Sequence, residues 1–118
     1  MPPRDHRARI KDILEAIQRA LRYTDGLTFQ QFCADEKTID AVVRNLTVIG
    51  EASRHVPEHV RSRGLNVPWR EMSDIRNIVV HEYFGVSLEI LWQTIRGDLP
   101  TLVDPLSDLL AQLTDQTD

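Results

Sequence analysis

Two residues of the sequence could act together on a phosphodiester: Arg76 and His81, with four residues between them. A histidine titrates near neutral pH, so it can accept or donate a proton during a reaction. An arginine beside a phosphate can stabilise the added negative charge of a transition state with paired N–H donors. Because the RNA 2′-hydroxyl is a built-in nucleophile that DNA lacks, the pair suits metal-independent RNA cleavage to a 2′,3′-cyclic phosphate and a 5′-hydroxyl end.

The spacing of this pair is weak evidence when taken alone. With twelve arginines and four histidines in the chain, roughly 0.4 such pairs are expected by chance. Arg54 and His59 have the same spacing, but Pro57 lies between them and interrupts any helix that would hold both. No proline separates Arg76 from His81, so these two can lie on one continuous helix.

Helical periodicity places the candidate residues on two neighbouring faces. At about 100° per residue, Asn77 and His81 share one face, Tyr83 lies near Arg76, and Arg76 lies roughly 140° from His81. One helix therefore does not direct both groups straight at the same phosphate. Either the arginine side chain bends round, or a second copy of the helix brings its own Arg and His to a shared cleft, which favours a site at a homodimer interface. Asn77 would orient the imidazole or the phosphate.

Apolar residues at helical spacing predict an all-α fold, an antiparallel bundle of four to five helices forming a single domain over residues 1–118. We expect a first helix that ends at 24–26, followed by a short segment with a capping box at Thr28 and Gln31. A third helix should run from about 35 to 54. Asn66 and Pro68 should open the next helix, and Ser87 should cap the last one.

Small residues and prolines refine this expectation. Gly50, with Ala52 and Ser53, could let a neighbouring helix approach closely. Pro100 and Pro105 should kink or divide the last helix.

Composition narrows the class of protein. The 42% hydrophobic and 27% charged residues are ordinary for a soluble globular domain, and no apolar run approaches the roughly 18 residues that span a bilayer. A lone cysteine, Cys33, and a charged N-terminus without a signal-peptide core favour a cytoplasmic protein. The net charge of −4 argues against a general nucleic-acid coat protein, but five arginines between Arg54 and His81 would draw an anionic partner to the middle of the chain.

Separate segments together resemble the HepT-like (DUF86) branch of the HEPN superfamily. The resemblance extends from about residue 9 to 110, and it is specific because the segments agree in order and spacing. The segments are Ala41–Leu46, Ile49–Ala52, Val67–Met72, Arg76-Asn77, His81–Val86, Leu88–Trp92 and Asp98–Pro100.

This resemblance implies a helical bundle that dimerises and cuts RNA without a metal ion or cofactor, as the toxin of a two-gene toxin–antitoxin module. It implies Arg76 and His81 as the catalytic pair and Asn77 as a polar helper. The implied partner is an MntA-type minimal nucleotidyltransferase antitoxin, which would neutralise the toxin by adding AMP to Tyr83. An anion there could occupy the groove meant for RNA phosphate and engage Arg76.

Each candidate residue also has a structural interpretation. Arg76 could be paired with Asp74 or Glu71, His81 could interact with the helix macrodipole, and Tyr83 could simply pack. Glu51 could serve in acid–base chemistry, although an interhelical salt bridge is the stronger expectation. Arg61 and Arg63 could form a rim that guides RNA or a solvated loop. His55 and His59 lack the further ligands that a metal site needs. Trp69 and Trp92 are expected to be core or interface anchors.

Two other functions compete with the ribonuclease. A non-catalytic HEPN subunit that delivers substrates to a nucleotidyltransferase would lack the Arg or the His of the motif, and both are present. A helix-turn-helix DNA binder would need a basic recognition helix, and the fourth helix is mixed in charge.

Overall fold

The structure is a computed structural model. It describes residues 5–83 and 87–115 and, within these ranges, the side chains of all residues except 80–83 and 114–115. The described residues form an all-helical bundle without strands, which confirms the predicted fold class. Its elements are α1 His6–Thr24, α2 Phe29–Cys33, α3 Glu36–Arg54, α4 Glu58–Arg61, α5 Trp69–Tyr83, α6 Leu88–Gln93, a π-helical segment Thr94–Asp98, and α7 Leu99–Asp115.

Helix boundaries follow the local signals of the sequence. Gly26, with a φ of 76°, reverses the chain after α1, a backbone conformation that glycine adopts without steric cost. Thr28 and Gln31 form the predicted capping box of α2. Asp35 caps α3, and hydrogen bonds from the Thr38 hydroxyl and backbone amide lower the pKa of its carboxyl group. Ser87 caps α6 by accepting a hydrogen bond from the Glu89 amide.

The four longer helices bury one apolar face each. α3 packs against both α1 and α5, and α7 packs against α1. The side chains of Phe32, Leu46, Ile49, Met72 and Leu106 are almost completely buried where these faces meet. Burial of such faces, at about 25 cal/mol per Å² of apolar surface, is the main source of stability for helices of this length.

Aromatic and polar anchors fix the short elements. The ring of Trp92 on α6 lies 5.1 Å from that of Phe32 on α2, centroid to centroid. The indole N–H of Trp69 donates a hydrogen bond to the backbone carbonyl of Arg61 at 3.1 Å, which ties the end of α4 to the start of α5. Both tryptophans therefore act as anchors within the bundle, as the sequence predicted.

The helical run from Leu88 to Asp115 is divided by the π-helical segment rather than at its prolines. Pro100 is the second residue of α7, directly after the π-helical segment, and it supplies no N–H to the carbonyls of that segment. Pro105 lies inside α7 without ending it. The predicted division of the last helix is thus found, but just upstream of Pro100.

No helix in the described part of the chain is long and apolar enough to cross a membrane.

Candidate functional site

The site is built where α3 and α5 approach one another closely, at Gly50 and Arg76. A Cβ atom added to Gly50 would lie 3.0 Å from both the Cβ and the backbone nitrogen of Arg76, and 3.3 Å from its Cα. These distances are shorter than ordinary van der Waals contact, so the approach depends on the absence of a side chain at position 50. The predicted close packing at this glycine is therefore present, and Arg76 is the residue it accommodates.

The next residue of α3 holds the arginine. Oε1 of Glu51 lies 2.8 Å from Nε of Arg76 in an ion pair between the two helices, and the two side chains are 42% and 47% exposed. The expectation of an interhelical salt bridge at Glu51 is confirmed, and the expectation that Arg76 pairs with Asp74 or Glu71 is wrong. Because the contact to Glu51 uses Nε and the side chain is nearly half-exposed, the two terminal nitrogens can make a second, forked contact to an anion.

A histidine extends this charged group toward the end of α3. Nε2 of His55 lies 4.0 Å from Oε2 of Glu51, and its side chain is 60% exposed. Glu51 thus lies between the Arg76 guanidinium on α5 and the His55 imidazole at the C-cap of its own helix.

The remaining motif residues follow along α5. Asn77 is exposed, on the side of α5 that faces away from the buried Met72, Ile75 and Val79. The helical backbone of α5 continues through His81 and Tyr83, as the sequence predicted, but the side chains of both residues lie outside the described residues. The structure therefore gives the arginine half of the motif in atomic detail and the histidine half only as a backbone position.

The other residues singled out in the sequence are dispersed over the surface. The His59 ring packs edge-on against that of His6, 6.0 Å away, whereas His55 contacts Glu51. The Arg61 guanidinium forms an ion pair with Glu58 at 2.9 Å within α4. Among the side chains that the structure describes, no three His, Cys, Asp or Glu residues are grouped closely enough to hold a metal ion.

Two features of the site were missed from sequence. The role of Glu51 as the partner of Arg76 could not be ranked above two acidic residues nearer in the chain, although its position beside Gly50 was the available signal. Arg70 and Ser73 were not singled out as a pair. Arg70 lies seven residues and Ser73 four residues before Asn77, and this spacing of polar residues was the signal that could have placed them on one exposed face.

The chain belongs to the HepT-like family: residues 13–109 match the family described as Ribonuclease HepT-like. It is 40% identical over 99 residues to the Probable ribonuclease HepT of Thermococcus cleftensis, covering 84% of this chain and 90% of that protein. It is 35% identical over 113 residues to a Methanocaldococcus jannaschii protein named Putative RNase MJ0127, covering 96% and 93%. No solved structure matches significantly. The resemblance drawn from separate sequence segments is thereby confirmed.

The approach at Gly50 generates a stability prediction. In Gly50→Ala the new methyl group meets backbone atoms of Arg76 rather than a flexible side-chain end, so α5 must move. Overpacking of this kind costs about 1–3 kcal/mol, against about 1 kcal/mol gained in helix propensity. We expect a net loss in the free energy of unfolding of up to about 2 kcal/mol, measured by chemical denaturation.

Gly97→Ala is the matched control. A Cβ at Gly97 meets no atom within 4 Å, so the unfolding free energy should stay the same or rise. Equal effects of the two substitutions would show that the helix crossing is not sterically limited at Gly50.

Proposed function

We propose that this protein is an endoribonuclease that cleaves RNA through its own 2′-hydroxyl, with Arg76 and His81 as catalytic residues, and that it acts as the toxin of a toxin–antitoxin module. The observation on which the proposal depends is the half-exposed Arg76 guanidinium, held at Nε by Glu51 with its outer edge open to an anion. Curated relatives named as ribonucleases, matched over most of their length, support the same activity.

The chemistry is an internal phosphoryl transfer. A base removes the proton of the 2′-hydroxyl, and the 2′-oxygen attacks the adjacent phosphorus. The bond from phosphorus to the 5′-oxygen breaks, and that oxygen takes up a proton. The products are a 2′,3′-cyclic phosphate and a 5′-hydroxyl end, and the reaction needs no metal ion. His81 transfers a proton, Arg76 stabilises the negative charge that builds on the phosphoryl oxygens, and Asn77 orients the imidazole or the phosphate.

Glu51 is a positioning residue in this scheme. An arginine side chain has several rotatable bonds, so an unrestrained guanidinium would lose entropy on contacting the phosphate. The ion pair with Glu51 restricts the positions of the guanidinium before RNA binds. Because this ion pair is half-exposed and screened by solvent, it contributes little to stability, and its effect is on geometry.

A homodimer completes the site in this proposal. Arg76 lies on the side of α5 that faces α3, and Asn77 faces outward. His81 follows Asn77 by one turn of the helix. Two copies of α5 meeting across a twofold axis would bring an arginine of one protomer and a histidine of the other to the same cleft.

Control by an antitoxin is the remaining part of the proposal. A minimal nucleotidyltransferase of the MntA type would transfer AMP to the Tyr83 hydroxyl, with pyrophosphate leaving from ATP. The added phosphate would carry negative charge to the end of α5 and compete with RNA for Arg76. Tyr83 lies on the motif helix two residues after His81.

The catalytic roles predict a loss of activity without a loss of folding. Arg76→Ala and His81→Ala should each lower kcat for RNA cleavage by roughly 10²–10³-fold or more, because a transition-state donor or a proton-transfer group is removed. Arg76→Lys should also lower kcat for RNA cleavage, since an ammonium group cannot make the forked contact to the phosphate. The measurement is single-turnover cleavage of a labelled transcript in the presence of a chelator, together with growth arrest on expression.

Arg19→Ala serves as the control for these variants, because Arg19 is also exposed and ion-paired, with Glu15 on α1. It should keep full activity. If the wild-type protein leaves all transcripts intact and causes no growth arrest, the alternative of a non-catalytic nucleotidyltransferase subunit replaces the ribonuclease.

A site shared between protomers predicts complementation. Arg76→Ala and His81→Ala proteins, each inactive, should regain about a quarter of the wild-type rate when mixed and re-equilibrated, because half of the dimers are mixed and each mixed dimer holds one intact site of two. Mixing either variant with itself is the control. An absence of recovery, with mixed dimers demonstrated by mass spectrometry, would mean that each site uses the Arg and His of one chain.

Modification of Tyr83 predicts a selective loss of neutralisation. Tyr83→Phe keeps the ring but lacks the acceptor oxygen, so the toxin should still arrest growth and the antitoxin should no longer relieve the arrest. Intact-mass measurement should find AMP on the wild-type protein after co-expression and none on the variant. Continued rescue of Tyr83→Phe cells would overturn this mode of control.

A further inference from the structure

A shallow, open hollow of about 450 Å³ lies where α4 meets the first turns of α5. Its lining residues include the arginines Arg61 and Arg70, Ser73, and the acidic residues Glu58 and Asp74. The Trp69 indole, which also lines it, holds the two helices together by its hydrogen bond to the Arg61 carbonyl. The hollow is therefore a fixed feature of the α4–α5 junction.

The two arginines of the hollow are in different states. A terminal nitrogen of Arg61 donates to Glu58 at 2.9 Å, while its Nε is buried without a hydrogen-bond partner among the described residues. Because this N–H is buried, Arg61 can meet an anion in the hollow only through its terminal nitrogens. Arg70 is exposed and borders the same space.

The helix register connects this hollow to the proposed catalytic site. Arg70, Ser73 and Asn77 fall within about 60° of one another around α5, on the side opposite the buried Met72, Ile75 and Val79. Arg70 precedes Asn77 by seven residues, which is about 10 Å along the helix. At roughly 3.4 Å of rise per stacked nucleotide, this distance corresponds to two or three nucleotides of a strand.

We propose that the α4–α5 hollow is a phosphate subsite for RNA, at which Arg70 and Arg61 bind the backbone two or three nucleotides away from the bond that is cut. The proposal rests on the proposed ribonuclease function and adds to it a substrate class, a single strand several nucleotides long that follows the outward face of α5. Ser73 lines the hollow one helical turn before Asn77 and would donate its hydroxyl to the adjoining backbone of the strand.

The acidic residues of the hollow determine how strongly it binds an RNA phosphate. Glu58 is engaged with Arg61, but Asp74 lies one turn after Arg70 on the same helix and repels a phosphate. Binding therefore depends on forked hydrogen bonds at short range rather than on net positive charge. Removing the Asp74 charge should strengthen binding, and removing the Arg70 charge should weaken it.

The test compares two substrates that share one scissile step, a dinucleoside monophosphate and a 12-nucleotide RNA. For Arg70→Gln we expect KM on the longer RNA to rise roughly three- to tenfold with kcat unchanged, and no change on the dinucleotide, which cannot reach the hollow. The slope of log(kcat/KM) against log[salt] on the longer RNA should fall by about 0.7, the value for one phosphate contact to a single strand. Asp74→Asn should lower KM on the longer RNA only.

Arg22→Gln is the matched control, because it removes the same charge from an arginine of α1 that does not line the hollow. Binding of an uncleavable 2′-deoxy 12-mer, followed by fluorescence anisotropy, is measured for all variants. Weaker binding in Arg70→Gln but not in Arg22→Gln supports the subsite even if no variant cleaves RNA, in which case the ribonuclease proposal alone fails. Equal effects of both arginine variants, or a change in kcat on the dinucleotide for Arg70→Gln, would overturn the subsite.

Discussion

The absence of one side chain, at Gly50, determines how α3 and α5 can meet. A methyl group there would press on the backbone of Arg76, so the two helices approach at a distance that only glycine permits. That approach puts Glu51, the next residue, within 2.8 Å of the arginine Nε. Two consecutive residues thus have complementary effects, since the first sets the separation of the helices and the second sets the orientation of the guanidinium.

The electrostatic consequence is that Arg76 is paired with Glu51 but is not buried by the pairing. Glu51 occupies the Nε edge of Arg76, and both side chains remain nearly half-exposed. In a fully buried pair the carboxylate would satisfy the guanidinium and the pair would be inert toward ligands, at a large desolvation cost. In the half-exposed arrangement, solvent screens the attraction to Glu51, and the guanidinium keeps accessible surface for a further contact.

Local signals in the sequence were sufficient for most of the fold and for the identity of the motif. Amphipathic spacing and side-chain caps at Thr28, Asp35 and Ser87 act over three or four residues, so they can be recognised without knowledge of the tertiary structure. The partner of Arg76 was not predictable in this way, because Glu51 lies on another helix and competes in sequence with nearer carboxylates.

The prolines of the last helix also show that local sequence signals do not include the effects of tertiary packing. Sequence rules indicated a disturbance at Pro100 and Pro105, and the structure has the π-helical segment upstream of the first and an unbroken α-helix through the second. A proline inside a helix costs about 3 kcal/mol, and tertiary packing of the buried face of α7 offsets it. Propensity ranks local conformations, but it does not include that packing.

The π-helical segment also sets the phase of the whole C-terminal run. Leu91, Ile95 and Leu99 are all buried although they recur at every fourth residue, a spacing that would rotate steadily away from the core in a regular α-helix. The wider turn of Thr94–Asp98 absorbs that rotation. From Leu99 onward, Leu102, Leu106 and Leu109 return to ordinary α-helical spacing. A single continuous rod can therefore present α6 to α2 and α5, and α7 to α1, without a loop between them.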